Sequence, residues 1–350
     1  MDWKTLLYEY AYNRNRMEAD GDLQPLAALV FDEGYLDVQN DRLRRIGAHR
    51  RERGVETLRR ESRLAIARNR ALEDEVVADI RLSQRWVYRA AGRTHTEERI
   101  ESEQLVLSRK KGGWRVESIS PDISESGLVP AGTGHSSANG RGKPSEYIPA
   151  GLSPSVSPLT PVGTPYLNGQ VITPGYGLEQ RAIVYDRQKA AQYADRWWET
   201  FNPAFLHFEV DCTNYVSQCI FAGGAPMNYT GKRESGWWYH GQNSKEELWS
   251  FSWAVADSLR RFLSGSELKG GLRADRVESP KDLAPGDVIA YSWDGGRYGH
   301  STFVTDRTAD GMPLVNAHTV SSKHRYWDYR DSYAWTPNTK YAFFHIHDSF

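Results

Sequence analysis

A long stretch rich in proline, glycine and serine interrupts the chain between residues 121 and 180. It holds nine of the 16 prolines and ten of the 30 glycines, and it contains few large aliphatic side chains. Such a stretch cannot bury enough apolar area to offset the entropy that ordering would cost. A chain of 350 residues divided in this way is expected to form two domains, 1–120 and 181–350, joined by a tether.

The first segment predicts an α+β domain. Trp3, Leu6 and Tyr10 recur at helical spacing, and more helix is expected from about residue 26 to residue 43. Alternating runs rich in β-branched and aromatic residues follow, separated by glycine-containing turns. These runs predict four strands, at about 62–71, 75–90, 94–109 and 113–119. The expected layout is therefore a set of helices followed by an antiparallel meander.

A dense run of positive charge lies between residues 42 and 70, where there are eleven arginines. A basic run of this kind can mark an acidic partner. Glu52, Glu56 and Glu61 are interspersed among the arginines at pairing distances, and the net charge of the whole chain is only −1. We therefore expect a solvated face, and we predict no nucleic-acid partner.

The overall composition is that of a soluble globular protein, with 39% hydrophobic and 25% charged residues. The first residues mix acidic and basic side chains without an apolar run, so the sequence predicts no signal peptide, and no window predicts a membrane span. Two cysteines that cannot reach each other give no disulfide framework. These features predict a cytoplasmic location, although a longer precursor could carry an export signal.

The sequence DCTNYVSQC at 211–219 predicts a helix that begins at a cysteine. Asp211 can cap the first turn, apolar residues follow at helical spacing, and two glycines at 223–224 end the helix. In the first turn, unpaired backbone N–H groups and the helix dipole favour an anion. We therefore expect a lowered pKa and a nucleophilic role for Cys212, with backbone donors available for an oxyanion. Cys219 lies about 10 Å further along and is expected in the core.

A candidate base follows about ninety residues later. Two strands joined by a glycine-rich turn are predicted within residues 285–305, and His300 begins the second of them. A third strand, 312–319, places Asn316 and His318 on one face. Either side chain could hold the imidazole of His300 in the required tautomer. The order of cysteine, histidine and polar residue is typical of a cysteine hydrolase.

Neighbouring side chains complete the candidate site. His207, in the segment before the nucleophile, is a possible second oxyanion donor beside the backbone N–H of the cysteine. Trp237 and Trp238 lie in a glycine- and serine-rich connection, where they either form the wall of a substrate cleft or pack the core. Asp211 and Ser301, next to the nucleophile and the base, are candidates for substrate or oxyanion binding.

Other aromatic residues of the second segment are expected to pack its core. Nine of the 12 tryptophans lie after residue 180. Trp249 and Trp253 are four residues apart, as one helix face requires, and Leu259 and Phe262 are expected to pack with them.

Several classes of cofactor have no support in the sequence. The chain contains no HExxH and no CxxC motif, and His345 and His347 form only a pair near the C-terminus. It also lacks a P-loop lysine motif and a GxGxxG fingerprint. We therefore predict neither a metal nor a nucleotide cofactor.

Long sequence motifs occur in a characteristic order between residues 183 and 350. They are DCTNYVSQCIFAGGAPM (211–227), WWY (237–239), SFSWAVADSLRRFL (250–263), LAPGDVIAYSWDGG (283–296), GHSTFVTD (299–306) and PLVNAHTVSSKHRYW (313–327). With these motifs, about half of the chain resembles the amidase domain family of spore-forming bacteria, a relative of the NlpC/P60 and CHAP cysteine peptidases. The first segment, which ends in GGWRVESI, resembles the NTF2-like or cystatin-like cone in the arrangement of its elements.

The resemblance to the amidase domain implies a papain-like α+β core. In that core Cys212 would be the nucleophile and His300 the general base, and a third polar residue would orient the base. Position by position, His318 matches the His-Thr motif of the family best, with Asn316 as the reserve. Gly299 stands where an aspartate often precedes the histidine, which would alter the charge near the base. The cone-like first segment implies a domain that binds a ligand or a partner.

The predicted reaction is hydrolysis of an amide bond through a thioester. Cys212 attacks the carbonyl carbon, and His300 protonates the leaving amine and then activates water. Because the resembling families cleave peptide or amide bonds, often in cell-wall peptides, a peptidoglycan-derived peptide is the leading substrate class. Two other hypotheses stay open, a papain-like acyltransferase and a catalytically inactive module that binds peptides.

Overall fold

The computed structural model describes residues 2–126, 182–241, 248–266 and 270–350. Within these ranges the chain is α+β, with antiparallel sheet and several helices. It divides into two compact units. Unit 1 comprises Met1–Asp122, Arg307–Val315 and Val320–Trp335, and unit 2 comprises Ile123–Asp306, Asn316–Thr319 and Thr336–Phe350.

The predicted tether at 121–180 lies almost entirely outside the described residues, and the proposed domain boundaries stay a prediction. The two units are not simply the two segments on either side of this stretch. Two late segments, Arg307–Val315 and Val320–Trp335, belong to the same compact unit as the first 122 residues. Unit 1 is therefore assembled from parts of the chain that are about 200 residues apart.

Unit 1 begins with helices and continues with long strands, as the sequence predicts. Its elements are α1 (Trp3–Asp20), α2 (Gln24–Ala27), α3 (Glu33–Glu52), β1 (Glu56–Ala71), β2 (Glu75–Ala90), β3 (Arg93–Lys110), β4 (Gly113–Pro121) and β11 (Ser322–Tyr326). Helix α1 begins where Asp2 Oδ1 accepts the Thr5 N–H at 2.8 Å, and it ends at Gly21, whose φ is 72°. Strands β1 to β4 pair antiparallel in sequence order, and β11 pairs with β3 at Arg99.

The core of unit 1 follows from the alternation of β2. Every second side chain from Val76 to Leu82 is buried, and these side chains share a core cluster with Leu7 and Tyr10 of α1. The expected solvated face of arginines is wrong for Arg42 and Arg60. Both guanidinium groups are buried, because each forms a salt bridge with the buried carboxylate of Glu18.

Unit 2 contains shorter elements. They are α4 (Arg187–Trp197), α5 (Cys212–Ala222), β5 (Tyr239–His240), β6 (Leu248–Trp249), α6 (Phe251–Ala254), α7 (Ala256–Ser264), β7 (Ala274–Val277), β8 (Val288–Ser292), β9 (His300–Arg307) and β12 (Lys340–Ile346). The antiparallel strands follow the order β9-β8-β12-β7. The chain also forms β10 (Pro313–Ala317). In the described ranges, no helix is both long and apolar enough to cross a membrane.

The core of unit 2 holds α5 against the sheet. Val216 and Cys219 of α5 share a cluster of buried side chains with Val288 of β8 and Phe303 of β9. Cys219 has no exposed surface, which agrees with its predicted structural role. This packing places the first residue of α5, Cys212, near the start of β9.

The predicted helix face that joins Trp249 to Trp253 is wrong. Trp249 belongs to β6, whereas Trp253 lies in the single-turn helix α6, and Val255 is extended before α7 begins. The expected packing is confirmed, because both tryptophans belong to the buried core cluster.

Candidate functional site

Cys212 is the first residue of α5, as predicted, and the helix ends at its C-cap, Gly223. Asp211 occupies the N-cap position, but the expected side-chain cap is wrong, because the carboxylate is used elsewhere. Its Oδ1 accepts the backbone N–H of Phe208 at 3.1 Å and the side-chain amide of Asn214 at 2.8 Å. The carboxylate therefore ties the loop before the helix to the first turn of the helix.

The sulfur of Cys212 is enclosed, and only 2% of the residue is exposed. The hydroxyl of Thr213 lies 3.7 Å from Sγ, and the backbone N–H of Ser301 and the hydroxyl of Thr319 also face it. Burial raises the pKa of the Cys212 thiol, and these donors lower it by less. The expected lowered pKa is therefore wrong, because desolvation outweighs the position at the helix N-terminus.

His318 lies beside α5 and has partners at both ring nitrogens. Its Nδ1 is 2.8 Å from Oδ2 of Asp211, and its Nε2 is 2.7 Å from the carbonyl oxygen of Trp197. The ring stacks on Tyr215, with 4.0 Å between the centroids. Because a carbonyl only accepts, Nε2 carries the hydrogen of that bond. An orienting bond from His318 to His300 would require one of these partners to be exchanged.

His300 is the first residue of β9, as predicted, and it pairs with Tyr291 of β8. The residue is fully buried, and its ring centroid lies 5.5 Å from that of Tyr291 and 5.8 Å from that of Trp293. The next residue, Ser301, directs its backbone N–H at the sulfur of Cys212. The backbone of the candidate base thus passes beside the candidate nucleophile, and the pairing of ring and sulfur stays a prediction.

Asn316, the reserve for the third residue, is fully buried on β10. Its Oδ1 accepts the hydroxyl of Thr305 at 2.9 Å, and its Nδ2 donates to Oδ1 of Asp195 at 2.8 Å. Asn316 and His318 are therefore each engaged with other groups, and the choice between them as the orienting residue stays open.

The candidate oxyanion residues lie on two elements. Ser301 is fully buried and its hydroxyl accepts from the hydroxyl of Thr213 at 3.2 Å. His207 packs against Phe201 with 3.6 Å between ring centroids, and Phe201 in turn meets His318 edge-on at 5.1 Å. His207 and His318 therefore contact the same phenyl ring, and Phe201 as a residue is 47% exposed. The role of His207 as an oxyanion donor stays a prediction.

Trp237 and Trp238 pack the core and do not form an open cleft wall. Both are fully buried. The indole N–H of Trp237 donates to the hydroxyl of Ser217 on α5 at 3.0 Å, and its ring lies 5.0 Å from that of Trp253. Of the two alternatives drawn from the sequence, packing is therefore correct. The positions of Trp237 and Trp238 in a loop after the nucleophile helix did not predict whether their side chains are exposed.

Sequence reasoning missed Thr319, Phe201 and the carbonyl of Trp197. Thr319 has a φ of 88°, which a β-branched residue rarely adopts. Such a conformation carries a cost that only the surrounding structure can sustain. The His-Thr motif at 318–319 contains Thr319, but only its histidine was predicted to have a role.

Part of the chain that includes this site is similar to known proteins. Residues 184–344 match the family model described as "Putative amidase domain". Cys212, His300 and His318 all lie within the matched residues. The match supports an amidase-like C-terminal region, and it points to hydrolysis of an amide bond.

The chain is also similar to a protein of Bacillus subtilis (strain 168) described as uncharacterized protein YhbB, with 52% identity over 169 residues. The alignment covers 48% of this chain and 52% of that protein, so the chain spans about half the length of this relative. Among solved structures, the intermembrane space region of the chloroplast protein ARC6 is 14% identical with a TM-score of 0.27. That match covers 35% of this chain and 96% of the other, and a score this low carries no argument.

Proposed function

We propose that the C-terminal region is a cysteine-dependent amidase or peptidase of the papain-like, NlpC/P60-related kind. It would hydrolyse an amide bond through a thioester, with Cys212 as the nucleophile and His300 as the general base. The proposed substrate class is a cell-wall-type peptide, such as a peptide derived from peptidoglycan.

One observation supports this proposal more than any other. The sulfur of Cys212, at the first residue of α5, faces the backbone N–H of Ser301, which directly follows His300 on β9. A helix N-terminus supplies free N–H groups where a tetrahedral oxyanion would form. The arrangement also lies in the region that matches the amidase family model.

The raised pKa of the Cys212 thiol favours one version of the mechanism. The thiol keeps its proton in the resting protein, because burial disfavours the thiolate. His300 would then take the proton from Sγ while the sulfur attacks the carbonyl carbon, as a base does for a serine nucleophile. The imidazolium would pass this proton to the leaving amine, and His300 would then deprotonate the water that breaks the thioester.

Asp211 and His318 are proposed to position the nucleophile. The carboxylate of Asp211 contacts His318, Phe208 and Asn214, and it directly precedes the cysteine. These contacts fix the position of the Asp211 carboxylate and thereby the position of the first turn of α5. In this proposal His318 acts on the helix through Asp211, and a direct bond to His300 would form only if the ring exchanged a partner.

A second candidate function is a module that binds peptides without cleaving them. The observation that favours it is the burial of Cys212, because buried cysteines with a raised pKa are usually inert. The two candidates differ in whether the thiol is required for turnover.

The full chain should be incubated with peptidoglycan-derived peptides and with a panel of simple peptide amides, and the products analysed by mass spectrometry. We expect amine release that falls by about 10³-fold or more in Cys212→Ala. Cys219→Ala, which alters the other buried cysteine, is the matched control and should retain most of the activity.

Equal turnover in Cys212→Ala and the unmodified protein would refute the cysteine mechanism. Binding of peptide without any cleavage would support the second candidate. Transfer of the acyl group to an added amine would identify an acyltransferase.

A further inference from the structure

Unit 1 contains a polar pocket that the proposed amidase site does not use. Its cavity volume is about 30 Å³, which is room for a small polar group, and the cavity opens to solvent. The pocket is lined by Glu18, Ile46, His49, Arg50, Arg53, Arg60, Trp86, Glu97, Arg99, Tyr326, Asp328 and Asp331. All of these residues belong to unit 1. Four arginines and four carboxylates thus meet around one cavity.

The carboxylates of the pocket already have cationic partners. Glu18 is bound by Arg60, and it also receives Arg14 at 2.5 Å and Arg42 at 2.6 Å from outside the pocket. Arg99 forms salt bridges with both Glu97 and Asp331. Asp328 forms a salt bridge with Arg330 at 3.3 Å and also lies 2.8 Å from Nε2 of His49. Each of the four carboxylates of the lining is therefore already paired with a group of unit 1.

The arginines of the lining, in contrast, each have an N–H group that donates no hydrogen bond to the described residues. Nε of Arg50, Nη2 of Arg53, Nε of Arg60 and Nε of Arg99 are buried, and none has an acceptor among the described residues. A buried N–H donor without an acceptor is unfavourable, and more so when the group is charged. Four residues that line one pocket thus each keep a buried N–H without an acceptor, which indicates that the pocket suits an acceptor with negative charge.

The aromatic residues of the lining hold two of the guanidinium groups in place. The guanidinium carbon of Arg50 lies 4.5 Å from the ring centroid of Trp86, and that of Arg53 lies 3.4 Å from the ring centroid of Tyr326. Burial, together with the neighbouring charge of Arg60, lowers the pKa of Arg50 to about 10. Positive charge at Arg50 is therefore poorly compensated within the protein.

We propose that this pocket is a binding site for a carboxylate group of a small ligand. A carboxylate supplies planar acceptor oxygens that match the N–H geometry of guanidinium groups. The four arginines and four acids of the lining balance each other, so a monovalent anion disturbs this balance less than a phosphate dianion would. Because the cavity opens to solvent, the body that bears the carboxylate can remain outside it.

Benzoate is a suitable probe, and neutral benzamide, which has nearly the same shape, is the control ligand. Binding to the full chain is measured by ligand-observed NMR titration. We expect benzoate to bind at least about ten-fold more tightly than benzamide, since a charge-assisted hydrogen bond is worth about 1.5–3 kcal/mol. Inorganic phosphate should compete weakly with benzoate.

Arg50→Gln should weaken benzoate binding about ten-fold or more. Arg44→Gln is the matched control, because Arg44 lies on the same helix with its side chain 74% exposed, and it should bind benzoate as the unmodified chain does. Circular dichroism checks that both variants fold. Should Arg50→Gln fail to fold, the Arg50 Nε–H resonance of the unmodified chain is expected to shift on adding benzoate.

Three results would overturn the proposal. They are equal binding of benzoate and benzamide, tighter binding of phosphate than of benzoate, and benzoate binding that is unchanged in folded Arg50→Gln.

Discussion

At the scale of single residues, the thiol of Cys212 is subject to opposing effects of unequal size. A helix N-terminus stabilises an anion by about 0.3–1 kcal/mol, which is less than one pKa unit. Full burial can shift a pKa by about 3–5 units in the opposite direction. Since Cys212 is only 2% exposed, burial wins and the pKa of the thiol rises.

We expect this raised pKa to control the reactivity of the thiol. In a Cys219→Ala background, iodoacetamide should modify native Cys212 more slowly than the urea-unfolded chain between about pH 7 and about pH 9, where an ordinary thiol already ionises. The midpoint of the native rate profile should lie above the unfolded value of about 8.5. Because the native state retains the proton, this thiol also makes stability fall as pH rises past the unfolded value.

The labelling experiment separates two forms of the catalytic proposal. A native midpoint below that of the unfolded chain would contradict the raised pKa, and it would indicate a thiolate already formed beside a cation. A native midpoint above it fits removal of the proton during attack. Mass spectrometry of the labelled peptide identifies the modified residue.

Local sequence patterns could predict where the candidate nucleophile and base begin their elements. Cys212 starts a helix and His300 starts a strand, and both positions follow from periodicity and turn residues. The hydrogen bond between Asp211 and His318 joins positions 107 residues apart, so no local pattern contains it. The left-handed backbone of Thr319 is likewise imposed by tertiary structure.

At the scale of elements, the interruption between α6 and α7 has a geometric reason. A continuous helix would turn Leu259 by about 600° relative to Trp253, which leaves the two side chains about 120° apart. Both residues nevertheless belong to one core cluster. The extended conformation of Val255, with φ of −115° and ψ of 123°, resets the helical phase so that both can pack there. Because no proline or glycine lies at this break, local sequence patterns do not predict it.

Gly236 offers a sharp test of how the loop before β5 is fixed. Its φ is 74°, and a Cβ at this position would lie 2.1 Å from the carbonyl oxygen of Asn228. Asn228 pairs with Trp237 through two backbone hydrogen bonds, of 2.9 and 3.2 Å, so that oxygen cannot move away freely. We expect Gly236→Ala to lose about 1–2 kcal/mol for the left-handed backbone and about 1–3 kcal/mol more for the clash.

Gly231→Ala is the matched control, because the φ of Gly231 is 72° and the nearest atom to its Cβ would be the hydroxyl of Tyr229 at 3.9 Å. Gly231→Ala should lose only the stability that the left-handed backbone costs, about 1–2 kcal/mol. Urea unfolding monitored by tryptophan fluorescence measures both variants. Equal losses would show that the loop relaxes and that the contact with Asn228 does not restrain it.

At the scale of the whole molecule, buried charge connects distant parts of the sequence within unit 1. Arg14 and Arg42 are almost fully buried, and both form salt bridges with Glu18 and Glu101. Helix α1 and the strands β1 to β4 of this unit could be predicted from periodicity, whereas β11 was not predicted. The burial of its arginines could not, because their partners include groups far away in the chain, such as Tyr333, which is 319 residues from Arg14.

The late segment Val320–Trp335 is therefore expected to be required for the folding of unit 1. Without it, Arg99 loses its salt bridge to Asp331, Arg42 loses the Asp331 carbonyl at 2.6 Å, and Arg14 loses the hydroxyl of Tyr333 at 3.0 Å. Breaking one side of a buried ion pair costs about 3–5 kcal/mol. A domain is stable by only about 5–15 kcal/mol in total, so the loss is a large fraction of what is available.

Residues 1–122 produced alone should consequently lack a cooperative urea transition, or show one at a much lower urea concentration than a chain that retains the late segment. Joining residues 320–335 to this fragment through a flexible Gly/Ser linker should restore both the transition and the near-UV circular dichroism. The same fusion carrying Asp331→Asn is the matched control, and it should restore less, because the amide cannot neutralise Arg99. If residues 1–122 unfold cooperatively at the same urea concentration with and without the added segment, the buried contacts of Asp331 and Tyr333 contribute little, and unit 1 is stabilised by its hydrophobic core alone.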